Sequence, residues 1–106
     1  MSKWAMEYYE DDVGSYFEKW LDSLTKEQFK SVAKELELLK LCGNELRLPH
    51  SRSLGKGLFE LREKKFGYRI YYGFLPNRRI VLLHAGNKES QERDIKISFN
   101  KLNKIV

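Results

Sequence analysis

The stretch from Gly57 to His84, GLFELREKKFGYRIYYGFLPNRRIVLLH, constrains this chain more than any other. Its apolar residues recur with a period near two, the signature of strands rather than helices. Over Leu58 to Lys64 or Lys65, Phe59 and Leu61 point one way and Glu60, Arg62 and Lys64 the other. Over Tyr68 to Leu75, Ile70, Tyr72 and Phe74 alternate with Arg69, Tyr71 and Gly73. Pro76-Asn77 is turn chemistry and leads into Arg79 to Ala85. Three consecutive antiparallel strands are predicted. The third, IVLLHA, is apolar on both faces, so it should be central, with helices on one side and loops or the C-terminal segment partly on the other. One face of the sheet is expected to be core. The other is expected to be a basic working surface, because Arg62, Lys64, Lys65, Arg69, Arg78 and Arg79 want water or an anion.

The flanking segments supply the helices. Trp4, Met6 and Tyr8 alternate with Ala5, Glu7 and Tyr9, which predicts a short first strand over Lys3 to Glu10. Val13, Tyr16, Phe17, Trp20, Leu21 and Leu24 then fall on one face of an amphipathic helix of about three turns. Thr25-Lys-Glu-Gln28 is a capping box that starts a second helix. Its inner face is Phe29, Val32, Ala33, Leu36 and Leu39, and Gly43 suits the residue just past its end. The short link between the helices predicts an antiparallel hairpin. Glu45 to Lys56 reads as a connecting segment, and His50 as a loop residue within it. Ser90 to Val106 shows a last helical face of Ile95, Phe99, Leu102 and Val106. No repeat, low-complexity tract or linker divides the chain, so residues 1–106 are expected to form one α+β domain.

Composition narrows the setting. The net charge of +5 favours a polyanionic partner, although such a balance is common without one. The single cysteine, Cys42, allows no internal disulfide and is expected to be a small core residue in a reducing compartment. No apolar run approaches the ~20 residues that span a bilayer, and the N-terminus lacks a signal-peptide layout. A cytoplasmic protein with no membrane role is expected.

Most catalytic classes find no support. His50 and His84 lie far apart, without the spacing of a metal site. The chain has no nucleophile elbow or dinucleotide fingerprint, and Gly55-Lys56-Gly57 is not a phosphate loop of the Walker type. No metal or other cofactor is expected. What remains is the sheet face on which Arg62, Arg69 and Tyr71 would converge, with Lys88 just past the third strand. Arginine pairs with phosphate and an aromatic ring stacks on a base, so the pattern suits nucleic acid. A solvated face laced by salt bridges, with Glu60 or Glu63 facing a neighbouring arginine, accounts for it equally well. His84 is the only side chain in this region with an ordinary pKa near neutrality, and it fits a structural role as well as a catalytic one.

The run Leu54 to Arg62, then Tyr68-Arg69-Ile-Tyr-Tyr, then Arg79-Ile-Val-Leu-Leu-His84, resembles the RelE/ParE toxin superfamily, in particular its HigB-like, phage-derived branch. Glu7-Tyr8-Tyr9 and the helix around Phe17, Leu21 and Leu24 fit the same pattern. The resemblance implies a helical hairpin packed on a curved, mainly antiparallel sheet of about four strands, with a C-terminal helix. It implies the toxin of a type II toxin–antitoxin system, a helix-turn-helix antitoxin of the HigA type, and metal-independent mRNA cleavage, commonly on the ribosome. In that reading Arg62, Arg69, His84 and Lys88 form the catalytic set, while Lys56, Lys65 and Tyr71 bind substrate. Two alternatives stand beside it: a ParE-like inhibitor of a protein such as DNA gyrase, and a non-toxic binding module. The segment Gly86 to Asp94 is shorter and more acidic than in many relatives of this branch, and no tyrosine follows Tyr72.

Overall fold

A computed structural model describes residues 3–105. The elements run β1 (Ala5–Tyr8), α1 (Tyr16–Asp22), α2 (Lys26–Cys42), β2 (Ser51–Gly55), β3 (Leu58–Glu63), β4 (Tyr68–Leu75), β5 (Arg79–Asn87) and α3 (Gln91–Asn103), with a 3-10 turn at Gly43–Glu45 after α2. The strands form one sheet in the order β1-β5-β4-β3-β2. β1 runs parallel to β5, and every other pair is antiparallel. This is the α+β architecture that the sequence predicts, with five strands rather than about four.

Local chemistry sets the helix boundaries. The Thr25 hydroxyl accepts the Gln28 N–H at 3.2 Å, and the Gln28 side chain accepts the Thr25 N–H at 2.9 Å. Both bonds satisfy helix-end donors that would otherwise be orphaned. Thr25→Ala is therefore expected to cost about 1 kcal/mol, read as a lower urea midpoint with an unchanged slope. α1 is shorter than predicted. Ser15 caps it by accepting the Glu18 N–H at 3.1 Å, and the Asp11–Gly14 turn leaves Val13 outside the helix. Val13 is accordingly 78% exposed, not core. Phe29, in the first turns of α2, is also exposed, and Val106 lies outside the described residues.

Helices lie on both faces of the sheet. Phe17, Leu21, Val32 and Leu39 of α1 and α2 bury one side against Leu61, Ile70, Tyr72, Ile80 and Leu82. α3 covers much of the other, where Leu102 packs with Leu58, Tyr71, Val81 and Leu83. The prediction of one core face and one basic face is therefore corrected: the basic surface is only the part that α3 leaves uncovered. The apolar character of β5 on both faces is the physical reason, because such a strand demands cover on both sides. Gly73 makes the cover close. A Cβ there would meet Leu102 Cδ1 at 2.9 Å, so only glycine lets α3 sit this near β4.

Two local features position the site. β2 occupies part of the predicted connector, and the Ser51 hydroxyl is hydrogen-bonded to Tyr72 Oη beneath the sheet. The register of β4 and β5 also slips once. Tyr72 pairs with Leu82, yet Tyr71 pairs with His84, so Leu83 is the extra residue of a bulge. The bulge turns both Leu83 and His84 toward α3.

Candidate functional site

The site forms where β3, β4 and β5 meet the first half of α3. Arg62 and Arg69 are direct cross-strand partners, as are Glu60 and Tyr71, and Tyr71 and His84. Side chains of directly opposed residues share a face. Arg62, Arg69 and Tyr71 therefore do converge, as the strand periodicity predicts. Glu60 and His84 join them.

Glu60 is wholly buried. Arg52 Nε donates to its Oε1 at 3.0 Å, and Gln91 Nε2 donates to its Oε2 at 2.8 Å. Arg69 Nε lies 3.6 Å from Oε2, close enough for an ion pair and too far for a hydrogen bond. The salt-bridged alternative is therefore real at Glu60. Glu63 instead accepts from Ser31 and from the backbone of the β3–β4 turn. Arg62 differs from Arg69: it is half-buried and has no ion pair or side-chain hydrogen bond among the described residues. One arginine is fixed by a carboxylate, and its neighbour is left to meet an anion.

Tyr71 is fully buried and cannot offer a ring face to a base, which corrects its expected stacking role. α3 occupies the space a base would need. Burial, and then the charges of Glu60 and Asp94, push its phenol well above the usual tyrosine range. Tyr71 Oη and Arg69 Nε are the buried side-chain polar atoms that lack a hydrogen-bond partner among the described residues. Both lie in this cluster, so it holds unused hydrogen-bonding capacity.

His84 is clamped by α3 from two sides. Its Nε2 lies 3.0 Å from Asp94 Oδ1, and its Nδ1 lies 3.2 Å from Lys101 Nζ. The Lys101 ammonium only donates, so Nδ1 is the acceptor and the proton sits on Nε2, donated to Asp94. Lys101 also donates to the Leu83 carbonyl at 3.0 Å. The Tyr16 ring stacks on the imidazole at 4.3 Å. Burial, and then the Lys101 charge, depress the His84 pKa; the bond to Asp94 opposes them without winning. Burial likewise lowers Lys101, with Lys104 adding to it, while Asp11 and Asp94 act the other way.

That shift has a consequence for stability. The unfolded histidine takes up a proton near pH 6.5, whereas the folded one refuses it until lower pH. The stabilisation is complete above about pH 6.5 and is lost as pH falls toward the depressed folded value, at up to about 1.4 kcal/mol per pH unit. Urea midpoints at about pH 7.5 and about pH 5.5 should show this fall, and His84→Gln should remove that component.

Gly86 lets the clamp close. A Cβ at Gly86 would lie 1.9 Å from Asp94 Oδ2 and 2.6 Å from Ser90 Oγ. Asp94 is buried and also accepts from the Ser90 hydroxyl.

The predicted lysines separate. Lys88 is exposed in the β5–α3 turn, near the end of β4 that carries Arg69. Lys56 lies in the β2–β3 turn beside the C-terminal half of α3, six residues or about 20 Å along the strand from Arg62. Lys65 lies on the α2 side, with Lys30 and Lys34. Neither Lys56 nor Lys65 is brought to the site. The sequence marks Glu60 only as a salt-bridge partner and does not mark Gln91, Asp94, Lys101 or Tyr16, which the fold brings to the cluster. Asp94, Ser98 and Lys101 recur at helical spacing along α3, and that polar stripe is the signal that could have found two of them.

Among the described residues no group of three or more His, Cys, Asp or Glu could hold a metal ion, and no helix is long and apolar enough to cross a membrane.

The model of the family described as "Phage derived protein Gp49-like (DUF891)" matches residues 19–105. Among curated proteins no sequence matches the chain. Two solved structures of Escherichia coli RelE are similar. The isolated toxin, in a P21 crystal form, is 14% identical with a TM-score of 0.58, covering 88% of this chain and 96% of that one. A double arginine-to-alanine mutant in the free state is 12% identical with a TM-score of 0.65, covering 98% and 99%. At such identities the likeness is one of fold.

Proposed function

Because this chain belongs to the phage-derived Gp49-like family and has the fold of RelE, we propose that it is the toxin of a type II toxin–antitoxin pair and acts as an RNA endonuclease. The observation that carries the reading is the Arg62–Arg69 pair: two guanidinium groups on adjacent strands, one held by Glu60 and one without an ion pair among the described residues. Guanidinium matches phosphate geometry and stays charged through the reaction. The pair would hold the scissile phosphate and stabilise the charge that grows as the substrate's own 2′-hydroxyl, giving up its proton, attacks phosphorus and the bond to the 5′-oxygen breaks, leaving a 2′,3′-cyclic phosphate and a protonated 5′-hydroxyl.

Proton transfer falls to His84 with Lys101. Arg62 and His84 are two strand spacings apart, about 10 Å across the sheet, and one pleat repeat, about 7 Å, along it. Long side chains can close on one substrate from those positions. Asp94 fixes the imidazole tautomer, and Lys101, its pKa lowered by burial, shares the proton-carrying work at Nδ1. Lys88 would hold the flanking backbone from the rim of the site. Lys65, on the other layer, would serve ribosomal RNA rather than the cleaved strand, and Lys56 would contact substrate only beyond the site. The partner would be a HigA-like helix-turn-helix antitoxin, and the setting the cytoplasm, on the ribosome.

A second reading is favoured by one observation. His84 is buried with both ring nitrogens bonded, and Tyr71 offers no face, which suits a toxin that inhibits a protein without chemistry. Mapping RNA 5′ ends after induction separates the two. New ends that disappear with Arg62→Ala support the nuclease. Growth arrest with no new ends, retained in that variant, supports the inhibitor.

A further inference from the structure

β2 ends the sheet on its side, and among the described residues no strand pairs with its outer edge. The Arg62 N–H donates to the His50 carbonyl at 2.8 Å. By the alternation of an antiparallel ladder, His50 and Arg52 then turn their backbone groups to β3, and Ser51 and Ser53 turn theirs outward. The Ser51 N–H is already taken by the Arg47 carbonyl at 3.1 Å. The Ser53 N–H and the carbonyls of Ser51 and Ser53 remain for another chain. The register shift between Ser53 and Gly55 ends the usable edge there.

The two sides of this edge differ. On the side of α1 and α2, an open hollow of about 440 Å³ runs between β2 and residues 46–48; Leu46, Leu48 and Phe59 make its apolar wall, and Arg47 and the β2 residues Ser51, Arg52 and Ser53 complete its rim. Leu48 is 63% exposed at its mouth. On the other side, the Arg52 side chain reaches Glu60 but stays 45% exposed.

We propose that the β2 edge takes an extended segment of a partner protein as a sixth strand, with apolar and acidic side chains in alternation. The period of two dictates the pattern. Side chains on one side enter the hollow and must be apolar. Those on the other face Arg52 and should be carboxylates. Main-chain pairing supplies affinity and the alternate contacts supply specificity. A second copy of this chain is a poor occupant, because two-fold pairing of β2 sets arginine against arginine. A nucleic acid has no main-chain groups to complete the ladder. The inference needs nothing of the RNA reading, since its test measures binding alone.

The test titrates the isotope-labelled full chain with a blocked peptide alternating valine and glutamate. The controls are its valine–lysine counterpart and an oligouridylate. The glutamate peptide should shift the amides of β2 and the Arg52 Nε–H, and should slow exchange of the Ser53 amide. The lysine peptide should bind at least about tenfold more weakly. Ser53→Pro removes the outward donor and spares the β3 ladder, so it should weaken binding by about tenfold, the worth of one hydrogen bond. Should that variant not fold, Leu48→Asp, on the exposed loop, asks the same question of the hollow. The proposal is overturned by no shift on β2 at millimolar peptide, by equal binding of the lysine peptide, by undiminished binding to the variant, or by β2 shifts from the oligouridylate alone.

Discussion

Arg62→Ala is expected to lower RNA cleavage by about 10²–10³-fold and to leave the folded state almost untouched. The argument is the contrast with Arg69. Arg62 is half-buried and unpaired among the described residues, so truncation breaks no ion pair or side-chain hydrogen bond among them. Its effect on stability should stay within about 0.5 kcal/mol. Arg69 faces the buried carboxylate of Glu60. Removing one partner of a buried ion pair costs about 3–5 kcal/mol when nothing else compensates. Here Arg52 and Gln91 still hold Glu60, so the cost of Arg69→Ala should fall below that range. Arg69→Ala thus mixes a catalytic loss with a stability loss, and Arg62→Ala isolates the first. Single-turnover cleavage of mRNA on ribosomes, with urea melts of both variants, separates them. Wild-type cleavage by a folded Arg62→Ala protein would remove Arg62 from any phosphate-binding role.

The same contrast shows what the sequence reveals. Strand period made it legible that Arg62 and Arg69 each lie on the polar side of their own strand, and the pairing register, Arg62 opposite Arg69, makes those sides coincide. The capping box at Thr25 and the turn at Pro76-Asn77 were legible because their chemistry is local. The turn residues Asn77 and Arg78 indeed take positive φ, 66° and 56°. Features that depend on a distant partner were hidden. β2 is a serine-rich stretch with little strand propensity of its own, and it becomes a strand by pairing with β3. Tyr71 has an alternating pattern that marks it as outward-facing, and only the docking of α3 buries it. The bulge at Leu83 leaves no trace, because a slip of one residue inside an apolar run changes no hydropathy pattern. That bulge decides which way His84 points, so the proton-carrying part of the site was the least legible.

Gly86→Ala should be among the most damaging single-methyl additions to this chain, because it strikes the clamp that this bulge creates. The new Cβ would sit 1.9 Å from Asp94 Oδ2 and 2.6 Å from Ser90 Oγ, so Asp94 must move. Its side chain is only 3% exposed and is held by His84 and Ser90, so a shift breaks bonds that it now makes. Overpacking of this kind costs about 1–3 kcal/mol. Moving Asp94 also strips His84 Nε2–H of its acceptor in a buried place, worth about 1–3 kcal/mol more. The two costs share a cause and will not simply add. His84 carries a second signature. The Asp94 bond is what raises its pKa, against burial and Lys101. Its loss should push the pKa lower still, and the stability falling with pH should do so over a wider range. Long-range nitrogen–proton NMR reads the ring directly. Wild-type protein should show the proton on Nε2, and Gly86→Ala should show that signal lost or exchange-broadened. Asp94→Asn separates the steric effect from the electrostatic one, since an amide oxygen can still accept from Nε2 and adds no bulk beside Gly86. It should keep the tautomer and lose the upward pull of the carboxylate charge. If Gly86→Ala matched wild type in both its melt and its ring signals, the first turn of α3 would have room that the geometry denies it, and His84 would owe its orientation to Tyr16 and Lys101 instead.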